Sequence, residues 1–165
     1  MHGRARAFFA GTVRPTVEEF FADVNNIRRG RLAAIVLFHM ADYWNIEVSP
    51  QPTKSTLRAI RRALITDCPE FSLIGDVANA SKHDRLTEGN PKISGSDQIA
   101  RAAGIFDAPF NTAMFNEASI VMVTRDDGTA QPLAGIVRAV MQMWERKLTR
   151  AFGAQIKTFE TRAGR

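Results

Sequence analysis

Ser72, Asp76, Asn79 and His83 recur at i, i+4, i+7 and i+11 within an otherwise apolar segment. On an α-helix that spacing puts all four in one line. Imidazole titrates near neutral pH, so His83 has the chemistry of a general acid or base, with Asp76 or Asn79 to orient it. The plainer alternative is the solvated face that any amphipathic helix carries. A second apolar segment holds His39 and Asp42, three apart and flanked by Ile35 and Ile46. If the two helices lie side by side, His39, Asp42 and His83 can converge as two imidazoles and a carboxylate. That set suits zinc, iron or another divalent metal. The competing reading of His39 is a satisfied hydrogen bond, because a polar group buried without a partner is strongly unfavourable. No HExxH or CxxC accompanies the set, and no other cofactor is expected.

Basic residues cluster at Arg28, Arg29 and Arg31 and again at Lys54, Arg58, Arg61 and Arg62. Arg58, Arg61 and Arg62 share one helical face, and together with Lys82 they are candidate contacts for RNA or another polyanion. A formal charge of +5 and a pI near 10.0 draw the chain toward anionic surfaces without selecting among them. The alternative is a solvated charged face, since neither cluster is interleaved with aromatic residues for base stacking. Cys68 precedes Pro69 at a helix start, where the dipole can lower a thiol pKa, but no base stands beside it in sequence. GxxxxGK[ST], GxGxxG and GxSxG are all missing, which argues against a nucleotide-fold enzyme or a serine hydrolase.

These residues need helices to position them. Thr16 with Glu19 has the form of a capping box, and Val17, Phe20, Phe21 and Val24 continue as one apolar stripe, so a first helix is expected from Thr16. Arg31 to Ile46 is apolar around nearly the whole circumference and reads as a central, surrounded helix that ends before Pro50 and Pro52. A third helix is expected over Lys54 to Thr66. A fourth begins at Asp67-Cys68-Pro69-Glu70 and runs to about Leu86, before Gly89-Asn90-Pro91. Residues 92–117 read as irregular. Ala118 to Thr124 is a strand, Asp126-Asp127-Gly128-Thr129 a hairpin turn, and Pro132 keeps the returning strand short. A last helix is expected over 132–152.

The sum is a mostly α chain, a bundle of about five helices with a small β-hairpin before the C-terminal helix. Its 165 residues are one domain's length. The apolar stretch from Leu32 to Ala41 is too short to span a membrane, and the basic start Met1 to Phe9 lacks the run of a secretory signal. A single cysteine excludes an internal disulfide and fits a reducing, cytoplasmic setting. Phe110 and Met114, within the apolar segment from Phe106 to Phe115, serve either to cover the core or to form a patch for self-association.

Leu37-Phe38-His39-Met40-Ala41-Asp42-Tyr43-Trp44 and Val77-Ala78-Asn79-Ala80-Ser81-Lys82-His83 resemble small bacterial proteins that pair a His-x-x-Asp-aromatic helix with an Asn-x-x-Lys-His helix. More distantly, Thr16 to Leu86 resembles the HEPN helical-bundle families, several of which are ribonucleases or partners in toxin–antitoxin or phage-defence systems. Their nuclease motif is an arginine, four to six residues, then a histidine. The window before His83 holds no arginine. The resemblance therefore implies a shared helical fold, from which activity is separable. The first expectation is a non-catalytic or degenerate HEPN-like binding or interaction protein that is homo-oligomeric. The second is a ribonuclease-like or metal-dependent enzyme using His83 with His39 and Asp42.

Overall fold

The computed structural model describes residues 3–102 and 120–163. Helix α1 (Arg4–Phe8) passes through a π-turn (Phe9–Val13) directly into α2 (Arg14–Phe21). After a short bend come α3 (Ile27–Val48), α4 (Lys54–Asp67) and α5 (Glu70–His83). Strands β1 (Ile99–Arg101), β2 (Val121–Thr124) and β3 (Ala130–Pro132) precede the long α6 (Leu133–Ala163). The helical bundle with a small antiparallel sheet before its last helix is as the patterning predicts.

Its first boundary is not. Thr16 lies inside a helix that begins twelve residues earlier, and its hydroxyl donates to the Thr12 carbonyl at 2.7 Å instead of capping a helix start. Pro15 would ordinarily break such a run, but it sits in the first turn of α2, immediately after the π-turn has widened the backbone. The start of α3 also moves. Asn26 is its N-cap, its side chain accepting from the Arg29 N–H at 3.2 Å, so α3 begins at Ile27, four residues before the expected Arg31. α4 starts where expected, with Thr53 and Thr56 as a reciprocal capping box.

α5 ends at His83, three residues short of the expected Leu86. Asp84 takes a φ of 62°, and the chain turns back so that the Leu86 N–H donates to the Ser94 carbonyl at 2.8 Å. Part of the segment read as irregular is β1, which pairs antiparallel with β2 (Ile99 opposite Val123). β2 pairs with β3 in turn (Val123 opposite Gln131). The hairpin turn is closed by the Arg125 N–H donating to the Thr129 carbonyl at 2.8 Å. Residues 103–119, with Phe110 and Met114, lie outside the described residues.

The core lies between α3, α5 and α6. α3 is buried along Gly30, Ala33, Ala34, Leu37, Met40, Ala41 and Asn45; its opposite face is open, with Leu32 and Ile46 exposed. The enclosed helix is α5, where Phe71, Leu73, Ile74, Gly75, Val77, Ala78 and Ala80 are all buried. α3 and α5 approach closely at Gly75: a Cβ there would lie 2.8 Å from the Phe38 ring. Trp144 of α6 is fully buried, donates its indole N–H to the Leu37 carbonyl of α3 at 3.1 Å, and meets the Phe71 ring edge-on at 6.1 Å. One side chain thus joins three helices through both packing and a hydrogen bond. Trp144→Ala is expected to destabilise the protein by about 3–5 kcal/mol, read from urea unfolding. A loss under about 1 kcal/mol would contradict this role.

Candidate functional site

α5 is held in place by its buried face, and that fixes where Asp76, Asn79 and His83 emerge. Asp76 and Asn79 are half-buried and His83 is exposed in the last helical turn. The chain that leaves α5 folds back over this line instead of leaving it to solvent. The Lys92 N–H donates to Asp76 Oδ2 at 2.8 Å, and Ile93 beside it is fully buried. The result is a cleft of about 560 Å³ between α5 and residues 85–91, lined by Asp76, Asn79, His83, Arg85, Glu88 and Asn90 among others. The three residues singled out for acid–base chemistry therefore do share one cavity.

Within it their roles differ. Asp76 is a support for the returning loop. Burial raises its carboxyl pKa, the Lys92 N–H and charge oppose that rise, and Asp126 adds to it. Asp76 and His83 are seven residues apart, about 10 Å along a helix axis, so the carboxylate is too distant to orient the imidazole directly. Asn79 is one turn away from His83, yet neither side chain is hydrogen-bonded among the described residues. Both are free for a ligand. Arg85, Glu88 and Asn90 were not singled out in sequence; the Gly89-Asn90-Pro91 turn was the signal that the chain reverses beside α5.

His39 and Asp42 form a separate group. His39 Nδ1 is 3.4 Å from Asp42 Oδ2, with side-chain exposures of 57% and 37%, so the pair is a surface pair and not a buried one. Arg61 of α4 lies 3.3 Å from the same carboxylate oxygen, and its guanidinium covers the Phe38 ring at 4.3 Å. His83 does not join them: among the described residues no group of three or more His, Cys, Asp or Glu is placed to hold a metal ion. Nor does Arg61 belong to a free phosphate-binding face, because Asp42 and Phe38 occupy its charge. Arg58, Arg62 and Lys82 remain exposed. Arg29 and Arg31 of the other basic cluster are also engaged, with Asp23 and with the Ser96 carbonyl.

Cys68 is buried, and its thiol is pushed up to about 11 by burial and by donation to the Glu70 carboxylate at 3.3 Å. It is a packing residue and not a nucleophile at neutral pH. Among the described residues no helix is long and apolar enough to cross a membrane.

The raised Asp76 pKa has a defined sign in stability. Between the unfolded and folded values the native state binds more protons, so stability falls as pH rises through that window, and the cost is fully present above the folded value. Asp76→Asn keeps an acceptor for the Lys92 N–H. The variant is therefore expected to resist urea at least as well as wild type at pH 7, with the difference shrinking on acidification to about pH 3. A loss exceeding about 1 kcal/mol at pH 7 would mean that the charged hydrogen bond outweighs the burial.

Across the whole chain, no protein-family model, no curated protein and no solved structure gives a match.

Proposed function

We propose that this chain is a non-catalytic helical binding protein whose ligand site is the cleft between α5 and residues 85–91. The observation that carries the reading is the division of labour along α5: Asp76 is committed to the Lys92 N–H, whereas Asn79 and His83, in the same cavity, are unpaired among the described residues. A general base needs a group that fixes its tautomer and aim, and among the described residues His83 has no such partner. A binding site needs only convergent polar groups in a cavity of suitable size, and about 560 Å³ is within the range that accommodates small molecules.

The cleft holds one guanidinium and two carboxylates, Asp76 and Glu88, so its chemistry suits a small polar ligand with an anionic group at one end and hydrogen-bond donors at the other. Arg85 and His83 supply donors for the anion, while Asn79 and Glu88 suit a part of the ligand that both donates and accepts hydrogen bonds. The resemblance of the α3 and α5 motifs to HEPN-type bundles belongs to the same reading, as a scaffold without the arginine of the nuclease motif. Free cations at Arg58, Arg62 and Lys82 support a second reading, contact with RNA over a broader surface.

Nucleoside monophosphates are suitable probes. Titrating them into ¹⁵N-labelled protein is expected to shift the amide signals of Asn79, His83 and Arg85, and His83→Ala is expected to weaken those shifts while leaving Tm within about 2 °C. A labelled RNA oligonucleotide is expected to stay intact. Cleavage that disappears in a folded His83→Ala variant would overturn the non-catalytic reading. Shifts confined to Arg58 and Arg62 would move the binding surface to α4.

A further inference from the structure

The open face of α3 is ordered in a way that a solvated face does not require. Leu32, Ile35, His39, Asp42 and Ile46 follow one another at alternating steps of three and four residues. That is the spacing of a coiled-coil seam, in which a strict seven-residue repeat keeps one stripe facing a partner helix. Leu32 is 40% exposed and Ile46 45%, and His39 is the most exposed of the His39–Asp42 pair. The buried apolar side chains of α3, Ala33, Ala34, Leu37, Met40 and Ala41, lie on the opposite side of the helix. The stripe is bordered by Arg61 of α4, which reaches Asp42, and by Tyr43, on which Phe8 of α1 stacks with ring centroids 3.9 Å apart.

We propose that this stripe is the seam of a symmetric homodimer in which two α3 helices pair antiparallel. The stripe is complementary to itself in that direction. Antiparallel seams pair an a position with a d position of the partner. With the two-fold axis between Met40 and Ala41, Ile35 meets the partner's Ile46, and His39 meets the partner's Asp42. Each of these layers then occurs twice, as an isologous contact demands. The carboxylate that His39 meets, the partner's Asp42, is one that its own chain also holds through Arg61 at 3.3 Å and His39 at 3.4 Å. Parallel pairing would place Asp42 on the partner's Asp42 and His39 on the partner's His39, opposing like groups. A second copy of this chain thus fits the stripe's pattern of apolar and charged positions, and it fits in one orientation.

In this register Leu32 falls opposite the partner's Ser49, past the end of α3, so the paired seam runs from Ile35 to Ile46, about 17 Å at 1.5 Å per residue. Alone it lies toward the small end of specific interfaces, so a dissociation constant on the order of micromolar is expected.

The test is the mass of the full chain in solution by sedimentation velocity, from about 1 µM to several hundred µM. Wild type is expected to rise from 18.3 kDa toward twice that mass. Ile46→Lys is expected to stay monomeric at all concentrations with an unchanged helical circular-dichroism spectrum, and Ile35→Glu likewise. Mixing the two variants in equal amounts is expected to restore the dimer. In that pairing one chain's new carboxylate faces the other's new ammonium, while the untouched Ile46 and Ile35 meet as before. A monomeric wild type, or self-association indifferent to Ile46→Lys, would overturn the proposal. So would a mixture of two folded variants that stays monomeric, because that pairing is specific to the antiparallel register. Should Ile35→Glu lose its helical signal, Ile46→Lys alone decides between loss of the dimer and overturning.

Discussion

The contact on which the rest of the structure depends is the approach of α3 to α5 at Gly75. Its physical requirement is the lack of a side chain: a Cβ would stand 2.8 Å from the Phe38 ring, too near for any ordinary carbon contact. Because α5 comes that close, Phe38 becomes a shared wall. Arg61 of α4 lies over it at 4.3 Å, and Phe71 of α5 packs against it with centroids 5.7 Å apart. Phe71 passes the contact to Trp144, and the indole N–H returns it to the Leu37 carbonyl on α3. Four helices are thereby joined through one run of rings. Enlarging Gly75 would disturb more than a local gap, since Phe38 cannot retreat without releasing Arg61 and Phe71.

The candidate site inherits its geometry from that enclosure. With most of α5's circumference taken up by packing, the polar line of Asp76, Asn79 and His83 is the side left for the returning chain. A backbone segment laid across a helix must find acceptors for its own N–H groups, and Asp76 supplies one to Lys92. Its burial is unfavourable for the carboxylate, yet the alternative leaves a loop amide unpaired next to the fully buried Ile93. The acidic residue is thus explained by the loop, and the cleft beyond it is what the loop does not fill.

Much of this was legible in the sequence, and the limits have physical causes. Helical periodicity located α4 within a residue at each end, because the apolar spacing of Leu57, Ile60 and Leu64 is regular. It misjudged the start of the chain's first helix, since Thr16 and Glu19 satisfy a capping pattern whose outcome depends on whether the preceding residues are already helical. Reading α3 as surrounded was reasonable from hydrophobicity, but hydrophobicity cannot distinguish a core contact from an open seam, and Leu32 and Ile46 belong to the latter. That Asp76, Asn79 and His83 lie along one line followed from their spacing on one helix, whereas the cavity they line depends on the turn at Asp84. The separation of His83 from His39 and Asp42 did not, because it depends on the rotation of α5 about its own axis, which is set by Gly75 and Phe38 and not by either motif.

A basic composition suggests a polyanion partner, yet charge acts on a partner only where it is not already compensated. Arg61 is held by Asp42 and an aromatic face, Arg29 by Asp23, Arg31 by a backbone carbonyl, Arg14 by Glu145 and Lys147 by Asp67. What is left exposed includes Arg28, Arg58, Arg62 and Lys82, divided among three helices. Salt dependence of binding to nucleic acid scales with the number of phosphates neutralised together. A dispersed set of this kind engages few phosphates at once, so long-range attraction is retained while a tight complex is not built. This separates the cleft from the cationic surface: one is a shaped cavity with unpaired hydrogen-bonding groups, the other a diffuse field, and only the first can choose between ligands of equal charge.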